Sequence, residues 1–414
     1  MRPRSRSQRG VFFIITALAL PVIFGVVGLA IDSGRQQVVR AELQNSADAC
    51  ALSAVMELNG SDVAPQRATL AGIFVGANRN LKNFQNEQVA IAPADITFGT
   101  SLNGAFVEAS AASSATNYTF VRCIVREPSL INYFMSVLNL GDSALSAMAV
   151  ATLQPGQSFC SMPMSICSGT PTAGLANNFG YSRGQRITMG GTSFTGFFTF
   201  ADVSGSGITS ASGLIPFFNT TGQCDIPPVT SACIGAPSTS NCRCIDVAPG
   251  AKTSLEVNWN ARFGVYKSDD PLAAAQAPPD RVGWGYTTAT LGTSAISDYE
   301  MRSTVAFQGS IAGGYDIPSP IASHQTHGIT NRRRVSLPVV QCPADSSGVN
   351  LCGVSSKRLV IGWACVLMAK PISPNEDAAV IYLGSADDPA NGCISTGLAG
   401  GGNTTGPLVP VLVQ

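Results

Sequence analysis

Twelve cysteines give this 414-residue sequence its greatest capacity for chemistry, since thiolates either bind metal ions or form disulfides. Only two histidines accompany them, and the Cys242-x-Cys244 spacing is shorter than that of a usual zinc knuckle. An even, abundant cysteine count is typical of a disulfide framework in an oxidising compartment. We therefore predict disulfides, chiefly among ten cysteines of the later chain: Cys160, Cys167, Cys224, Cys233, Cys242, Cys244, Cys342, Cys352, Cys365 and Cys393.

The sequence does not fix which cysteines pair. Cys160–Cys167 and Cys342–Cys352 are close enough along the chain to form local pairs. Cys50 and Cys123 lie apart from the cysteine-rich half, so either they pair with each other or they stay buried as thiols.

Other metal-binding and catalytic patterns are weak. His324-x-x-His327 lacks a helical pattern and a third ligand, which favours two loop histidines over a metal site. The acidic pairs Asp269-Asp270 and Asp387-Asp388 each precede a proline, as expected of solvated turns. There is no G-x-S-x-G motif, no phosphate-binding loop and no G-x-G-x-x-G motif after a strand. We therefore predict no enzyme activity and no cofactor.

The first element that the sequence predicts is a membrane anchor at residues 11–31, an uncharged run of 21 residues behind a basic tip, residues 1–10. About 20 apolar residues in a helix cross the hydrocarbon core of a bilayer. A cleavable signal peptide is the competing interpretation, but its apolar core is usually shorter and ends at a small-x-small site. Four arginines in the tip place the N-terminus in the cytoplasm by the positive-inside rule. We therefore predict a retained single-pass anchor with residues 32–414 across the membrane.

An amphipathic stalk helix is predicted at residues 32–58. Apolar or small residues recur there with the spacing of one helical face, at Val39, Leu43, Ala47, Cys50, Ala54 and Leu58. Asn59-Gly60 should end the helix. The face either packs on the protein's own domain or forms a coiled coil with a partner, and both can hold at different positions.

The rest of the chain predicts an α+β fold with two further parts. Residues 59–155 should form a small α+β unit, with helices at 67–80 and 130–140, strands at 89–98, 117–126 and 144–153, and a break at Pro155-Gly156. Residues 156–414 alternate short apolar runs with Gly, Ser, Thr, Pro and Cys, which predicts a β-rich, disulfide-stapled domain. Charged residues are only 12% and the net charge is zero, so the chain has no electrostatic basis for nucleic-acid binding.

The N-terminal stretch resembles the TadE/TadG-like proteins of Flp (tight-adherence) pilus assembly. The matching pattern is an anchor followed by D-x-G-R and then L-Q-x-x-A-D-A-x-A-L, carried by Gly10, Pro21, Gly28, Asp32, Gly34, Arg35, Leu43, Gln44, Ala47, Asp48, Ala51 and Leu52. Shorter stretches of the second half are similar to the C-terminal part of the shorter TadG-like proteins, and a long helix packed on a small sheet is the pilin-like plan.

The resemblance implies a non-enzymatic component of a pilus or secretion apparatus, single-pass in the bacterial inner membrane and facing the periplasm. Its implied partners are other pilus-assembly membrane proteins, bound through anchor and stalk, together with the lipid bilayer and possible further copies of the chain.

Some relatives carry a von Willebrand A domain, whose D-x-S-x-S motif places one carboxylate and two hydroxyls on a divalent cation. Asp202, Ser204 and Ser206 reproduce that spacing after a predicted strand. The helix and alternating elements that the domain requires do not follow, because residues 207–233 are rich in Gly, Thr and Pro. We interpret the segment as a strand-to-turn in which Asp202 and Ser204 cap the backbone. The alternative is a surface- or matrix-binding module, with a cation at Asp202, acting in adhesion.

Pilins differ from this chain at one position. Their peptidase cuts after a glycine, and a glutamate stands five residues further on. Here Gly10 is present, but Ile15 occupies the glutamate position. We therefore expect residues 1–10 to be retained and the chain not to be a bulk filament subunit.

Overall fold

The computed structural model describes residues 9–58, 63–79, 81–82, 87–113, 117–138, 141–169, 175–189, 197–208, 210–226, 243–248, 252–267, 277–280, 315–316, 332–342, 352, 356–372, 378–400 and 406–414. Within these residues the protein is mixed α+β. A long apolar N-terminal helix precedes a β-rich remainder that is joined by several disulfides.

Helix α1, Arg9–Val55, contains the predicted anchor and most of the predicted stalk as one continuous element. Pro21 lies inside it, and its 47 residues extend about 70 Å at 1.5 Å per residue. The helix ends three residues before the predicted end at Leu58. Of the helices in the described residues, α1 is the one long and apolar enough, by length and composition, to cross a membrane.

The first sheet is built mainly from the residues that follow α1. Helix α2 is Ala64–Arg79, and the strands are β1 Leu81–Lys82, β2 Glu87–Gln88, β3 Ile96–Gly99, β4 Phe106–Glu108, β5 Phe120–Leu130 and β6 Ser143–Ser161. The strands β6, β5, β3 and β4 pair in that order, all antiparallel, and β1 pairs with β2 separately.

The two halves of α1 have opposite surroundings. Its large apolar side chains are exposed from Phe12 to Ile31, whereas the predicted face from Val39 onward is buried. That face shares a core with side chains of β3, β5 and β6, including Phe98 and Val121. The prediction of a helical face is therefore confirmed, and its partner is the protein's own sheet.

Helix α2 runs antiparallel to the second half of α1. Arg67 forms an ion pair with Glu57, with Nε 3.2 Å from Oε2. Towards the other end of α2, a Cβ on Gly76 would lie only 3.0 Å from Cys50 Cβ and 3.2 Å from the Ser46 carbonyl oxygen. A glycine at this position lets the two helices approach closely.

Three predicted elements of this unit are wrong in type or extent. Residues 130–140 are not a helix, because β5 continues to Leu130 and only Met135–Leu138 forms a 3-10 turn. Residues 89–98 are not one strand, because the 3-10 turn Pro93–Asp95 precedes β3. The chain does not break at Pro155-Gly156, because β6 continues to Ser161. Pro155 lies beyond Thr152, the last residue of β6 paired with β5, so its missing N–H costs no bond to β5.

Within its described residues, the later chain adds fourteen further α-helices and strands. They are β7 Met164–Cys167, β8 Arg186–Met189, β9 Phe197–Asp202, α3 Ala211–Leu214, β10 Gln223–Ile226, β11 Cys244–Ala248, α4 Lys252–Ala261, β12 Tyr266–Lys267, β13 Tyr315–Asp316, β14 Arg334–Val340, β15 Lys357–Met368, β16 Ala379–Ser385, β17 Gly397–Ala399 and β18 Leu408–Leu412.

The second sheet closes on itself. Strand pairings run from β15 through β14, β7, β9, β8 and β16 back to β15, and β11 bridges β15 and β9. The β14–β7 and β8–β9 pairs are parallel and the others antiparallel. Trp259 of α4 shares a buried core with Phe200, Leu337 and Tyr382 of this sheet.

Strand β6 joins the two parts of the molecule. Its residues 143–152 pair with β5, and its middle residues 151–155 pair with β18 on the opposite edge. Its second half pairs with β10 and β17. Residues 408–412, late in the chain, therefore complete the sheet that begins near residue 96.

Five disulfides lie within the described residues: Cys50–Cys123, Cys160–Cys224, Cys167–Cys342, Cys244–Cys352 and Cys365–Cys393. The local pairs that we considered, Cys160–Cys167 and Cys342–Cys352, do not form. Four of the five bonds join residues more than 60 positions apart, because they link elements that are neighbours in space rather than in sequence, such as α1 and β5 in the case of Cys50–Cys123. Cys233 and Cys242 lie outside the described residues.

Candidate functional site: a clasp at the end of the apolar helix segment

A buried carboxylate stands where the uncharged part of α1 ends. Asp32 is 1% exposed, and its carboxylate accepts hydrogen bonds from three consecutive backbone amides. The Tyr133 amide donates to Oδ1 at 3.2 Å, and those of Phe134 and Met135 donate to Oδ2 at 2.9 and 2.8 Å. These amides open the 3-10 turn Met135–Leu138, so Asp32 satisfies the free donors of that turn from another element.

Two residues of the next turn of α1 bind the same loop. Arg35 Nη1 donates to the carbonyl of Ile131, and its guanidinium lies over the Tyr133 ring, 4.5 Å from the ring centre. Gln36 Nε2 donates to Asn132 Oδ1 and to Ser143 Oγ, both at 3.0 Å. We refer to Asp32, Arg35 and Gln36 with residues 131–135 as the clasp.

Phe134 extends the clasp into the apolar segment of α1. A Cβ on Gly28 would lie 2.5 Å from Cβ of Phe134, so the phenylalanine covers this glycine directly. Gly28 is buried although its helix neighbours Val27 and Leu29 are exposed. A larger residue at position 28 would displace the loop.

Several further residues of the resemblance motif fix α1 on its sheet. Leu43 and Ala47 are buried in the shared core. Gln44 Nε2 donates to Asp48 Oδ1 at 2.8 Å and to the Met148 carbonyl of β6 at 3.1 Å. Gly34 has open space where a Cβ would be, and nothing in the structure explains a glycine there.

Asp202, the candidate cation ligand, is surrounded by hydrogen-bond donors. Its Oδ1 accepts from Ser204 Oγ, the Gly205 amide, Ser206 Oγ and Gln223 Nε2 at 2.8 to 3.2 Å, and its Oδ2 accepts from the amides of Gly207 and Ile208 at 2.7 and 3.2 Å. Both serine hydroxyls direct a proton, not a lone pair, at the carboxylate. This arrangement fits the interpretation of a capped turn.

The electrostatics of Asp202 agree with that geometry. Burial alone would raise the pKa of its carboxyl, but hydrogen bonds from Gln223, Gly207, Ser204 and Ser206 outweigh burial and lower the pKa. A positive charge is also present nearby: burial lowers the pKa of the Arg243 guanidinium, and the charge of Asp202 offsets part of that lowering. The ionised carboxylate is therefore stabilised from within the chain.

The other candidate residues either accept local hydrogen bonds in turns or lie outside the described residues. Asp387 accepts from Ser385 Oγ, and Asp388 caps the 3-10 turn Pro389–Asn391 by accepting from the Ala390 amide at 2.9 Å. Asp269, Asp270, His324 and His327 lie outside the described residues. Within the part of the chain that the structure describes, no group of three His, Cys, Asp or Glu residues is placed to hold a metal ion.

Sequence reasoning identified Asp32 and Arg35 through the resemblance but not their partners. The partners lie about a hundred residues away in the segment that we predicted as a helix. The apolar run around residues 130–138 next to a polar Asn132 was the one available signal, and it fits an amphipathic helix equally well.

Comparison with known proteins finds a match for helix α1. Residues 10–57 match the family model described as putative Flp pilus-assembly TadE/G-like. No curated protein and no solved structure matches the chain. The matched residues contain the apolar segment, Asp32, Arg35 and the buried face of α1, so the TadE/G-like part of this chain is the long helix.

Proposed function

We propose that this chain, whose residues 10–57 are TadE/G-like, is a non-enzymatic component of Flp pilus assembly, anchored in the inner membrane with residues 32–414 in the periplasm. The carrying observation is that the matched segment is one helix with an exposed apolar half and a half built into the protein's own core. Such a helix couples a membrane span rigidly to a folded domain. The basic tip supports the orientation, and the disulfides fit an oxidising compartment.

The surfaces available to partners are limited by the fold. The face of α1 from Val39 to Val55 packs on the protein's own sheet, so we do not assign it to a coiled coil with another protein. The exposed surface of α1 consists of the segment from Phe12 to Ile31 and a short outward strip that includes Gln37, Val38 and Ala41. We place the contacts with other pilus-assembly membrane proteins on these two surfaces.

A structural role also agrees with the two buried polar clusters. The carboxylates of Asp32 and Asp202 each bind several donors of the same chain, which positions loops and presents no reactive group. The adhesion alternative depended on a cation at Asp202, and the hydrogen bonds there do not support it.

Genetic complementation in the source bacterium tests the proposal. Deleting the gene should abolish or strongly reduce Flp pili counted by electron microscopy, and the wild-type gene should restore them. Normal piliation of the deletion strain would refute the assignment.

An anchor-exchange variant tests the partner surface. Residues 11–31 are replaced by an unrelated transmembrane segment that keeps Gly28, so that the clasp is retained. We expect the variant to stay in the membrane and folded but to lose co-purification with other pilus-assembly proteins. A control exchange at Leu70, an exposed residue of α2, to serine should leave co-purification unchanged. If the anchor-exchange variant retains all its partners, residues 11–31 are not part of the binding surface.

A further inference from the structure

Exposed apolar side chains occur beside the membrane segment as well as within it. In the loop between β5 and β6, Ile131 is 54% exposed, Tyr133 56% and Phe134 43%. Scattered apolar residues are normal on a protein surface, but three within four residues, continuous with an exposed apolar helix, form one patch.

The contact with Gly28 fixes the depth of this loop relative to the apolar segment. Gly28 precedes Ile31, the last uncharged residue of the run, by three positions, so Phe134 lies about 5 Å inside the end of that segment at 1.5 Å per residue. Any placement of residues 11–31 across the hydrocarbon layer therefore brings Phe134 to the boundary between headgroups and acyl chains.

The clasp prepares the loop backbone for this environment. An unsatisfied amide or carbonyl is costly where water is scarce. Asp32 accepts from the amides of residues 133–135, and Arg35 donates to the Ile131 carbonyl. Tyr and Arg are also residue types that favour the membrane–water interface, and Arg35 stacks on Tyr133 there.

We propose that the loop at residues 131–134 is a second membrane contact, in which Ile131, Tyr133 and Phe134 enter the interfacial layer of the lipid bilayer and Asp32 is the positioning residue. The occupant of this apolar patch is lipid, because the patch is continuous with the apolar surface of α1. The proposal rests on the membrane placement of residues 11–31 and adds a contact that the anchor alone does not require.

Depth-dependent quenching tests the loop in the full-length protein. Phe134→Trp is reconstituted in nanodiscs whose lipids carry bromine either near the headgroup or deep in the acyl chain. After subtraction of the wild-type signal, which contains the three native tryptophans, we expect a blue-shifted emission that shallow bromines quench most strongly. Ile131→Trp, at a position that does not cover Gly28, should behave alike and guards against misfolding of the first variant.

Two controls of the same substitution type make the result decisive. Phe74→Trp on α2 is at a 54% exposed position between Gly72 and Gly76, which both contact Cys50, so it lies about 25–30 Å beyond Ile31 and should not be quenched. Phe24→Trp, inside the apolar segment, should be quenched by deep bromines. If Phe24→Trp is quenched while both loop variants match Phe74→Trp, the loop proposal is overturned. If Phe24→Trp is not quenched, the anchor placement itself fails.

The role of Asp32 has its own measurement. In the Phe134→Trp background, Asp32→Ala should reduce shallow quenching and speed hydrogen exchange of the amides at 133–135. Asp48→Ala removes a part-buried carboxylate of the same helix that is bonded to Gln44 and lies away from the loop, so it should do neither. If Asp32→Ala changes neither the quenching nor the hydrogen exchange, Asp32 does not position the loop.

Discussion

Replacing Asp202 with asparagine distinguishes a carboxylate that holds a turn from one that holds a cation. The carboxylate accepts six hydrogen bonds, four on Oδ1 and two on Oδ2. Asparagine can keep its oxygen towards the four donors that bind Oδ1 only by turning its NH₂ group towards the amides of Gly207 and Ile208. Hydrogen bonds to a charged group contribute about 1.5–3 kcal/mol each, which gives about 3–6 kcal/mol for the two bonds lost. Gly207 is exposed and water can replace part of its bond, so we expect about 3 kcal/mol of destabilisation.

The assay is thermal unfolding of the full-length protein in detergent. One kcal/mol shifts Tm by roughly 2–4 °C in a unit of 150–250 residues, so Asp202→Asn should lower Tm by about 6–12 °C. Asp388→Asn is the matched control, because Asp388 makes one cap bond that asparagine makes equally well. Equal Tm values for the two variants would refute the reasoning. A calcium-dependent rise in wild-type Tm that Asp202→Asn abolishes would restore the cation interpretation.

Four further predictions follow from other features. The folded-state pKa of Asp202 is lowered from an unfolded value of about 3.9, so the stabilisation by its carboxylate is present above that pH and is lost as the pH falls through the folded pKa. The Tm difference between wild type and Asp202→Asn should therefore be constant above about pH 5 and narrow towards pH 3. A difference that stays constant down to about pH 3 would contradict this. The double variant Cys50→Ala/Cys123→Ala removes a bond across 73 positions, which should cost about 4 kcal/mol of stability by loop entropy; the matched change at Cys365–Cys393, across 28 positions, should cost less, and the reverse order in chemical denaturation would count against the loop argument. Thiol labelling of denatured, unreduced protein should find at most two free cysteines, since ten are paired in the described residues; labelling after reduction is the control, and many free thiols before it would oppose the disulfide framework. Intact-mass measurement should find residues 1–10 retained because Ile15 replaces the glutamate of processed pilins, and a mature N-terminus at Val11 would show this expectation to be wrong.

The helix was the most predictable part of the fold because its information is local. The uncharged run at residues 11–31 and the spacing of Val39, Leu43 and Ala47 determine which side is apolar without reference to any other segment. The sequence did not determine what this face packs against, since the same apolar spacing suits packing on a sheet of the same chain and packing on a helix of another protein.

Residues 130–140 show where local information fails. Their apolar spacing suits a helix, yet three of their amides are bound by Asp32, which lies 101 to 103 positions away. The cysteine pairs are long-range for the same reason: Cys50–Cys123 depends on the packing of α1 on β5, and Cys167–Cys342 depends on the pairing of β7 with β14. The clasp could be located from Asp32 and Arg35, but its geometry depends on a tertiary contact that no local pattern encodes.

The pairing of β18 with β6 has a consequence for the order of events during synthesis. Residues 151–155 leave the ribosome about 250 residues before their partners at 408–412. At about 5–20 residues per second, that gap lasts roughly ten seconds to one minute. Throughout this interval the apolar helix has already emerged, while one edge of β6 stays open. The first sheet is thus completed only once residues 408–412 have been synthesised, and until then the nascent chain carries an uncapped strand edge that a chaperone or an assembly partner can recognise.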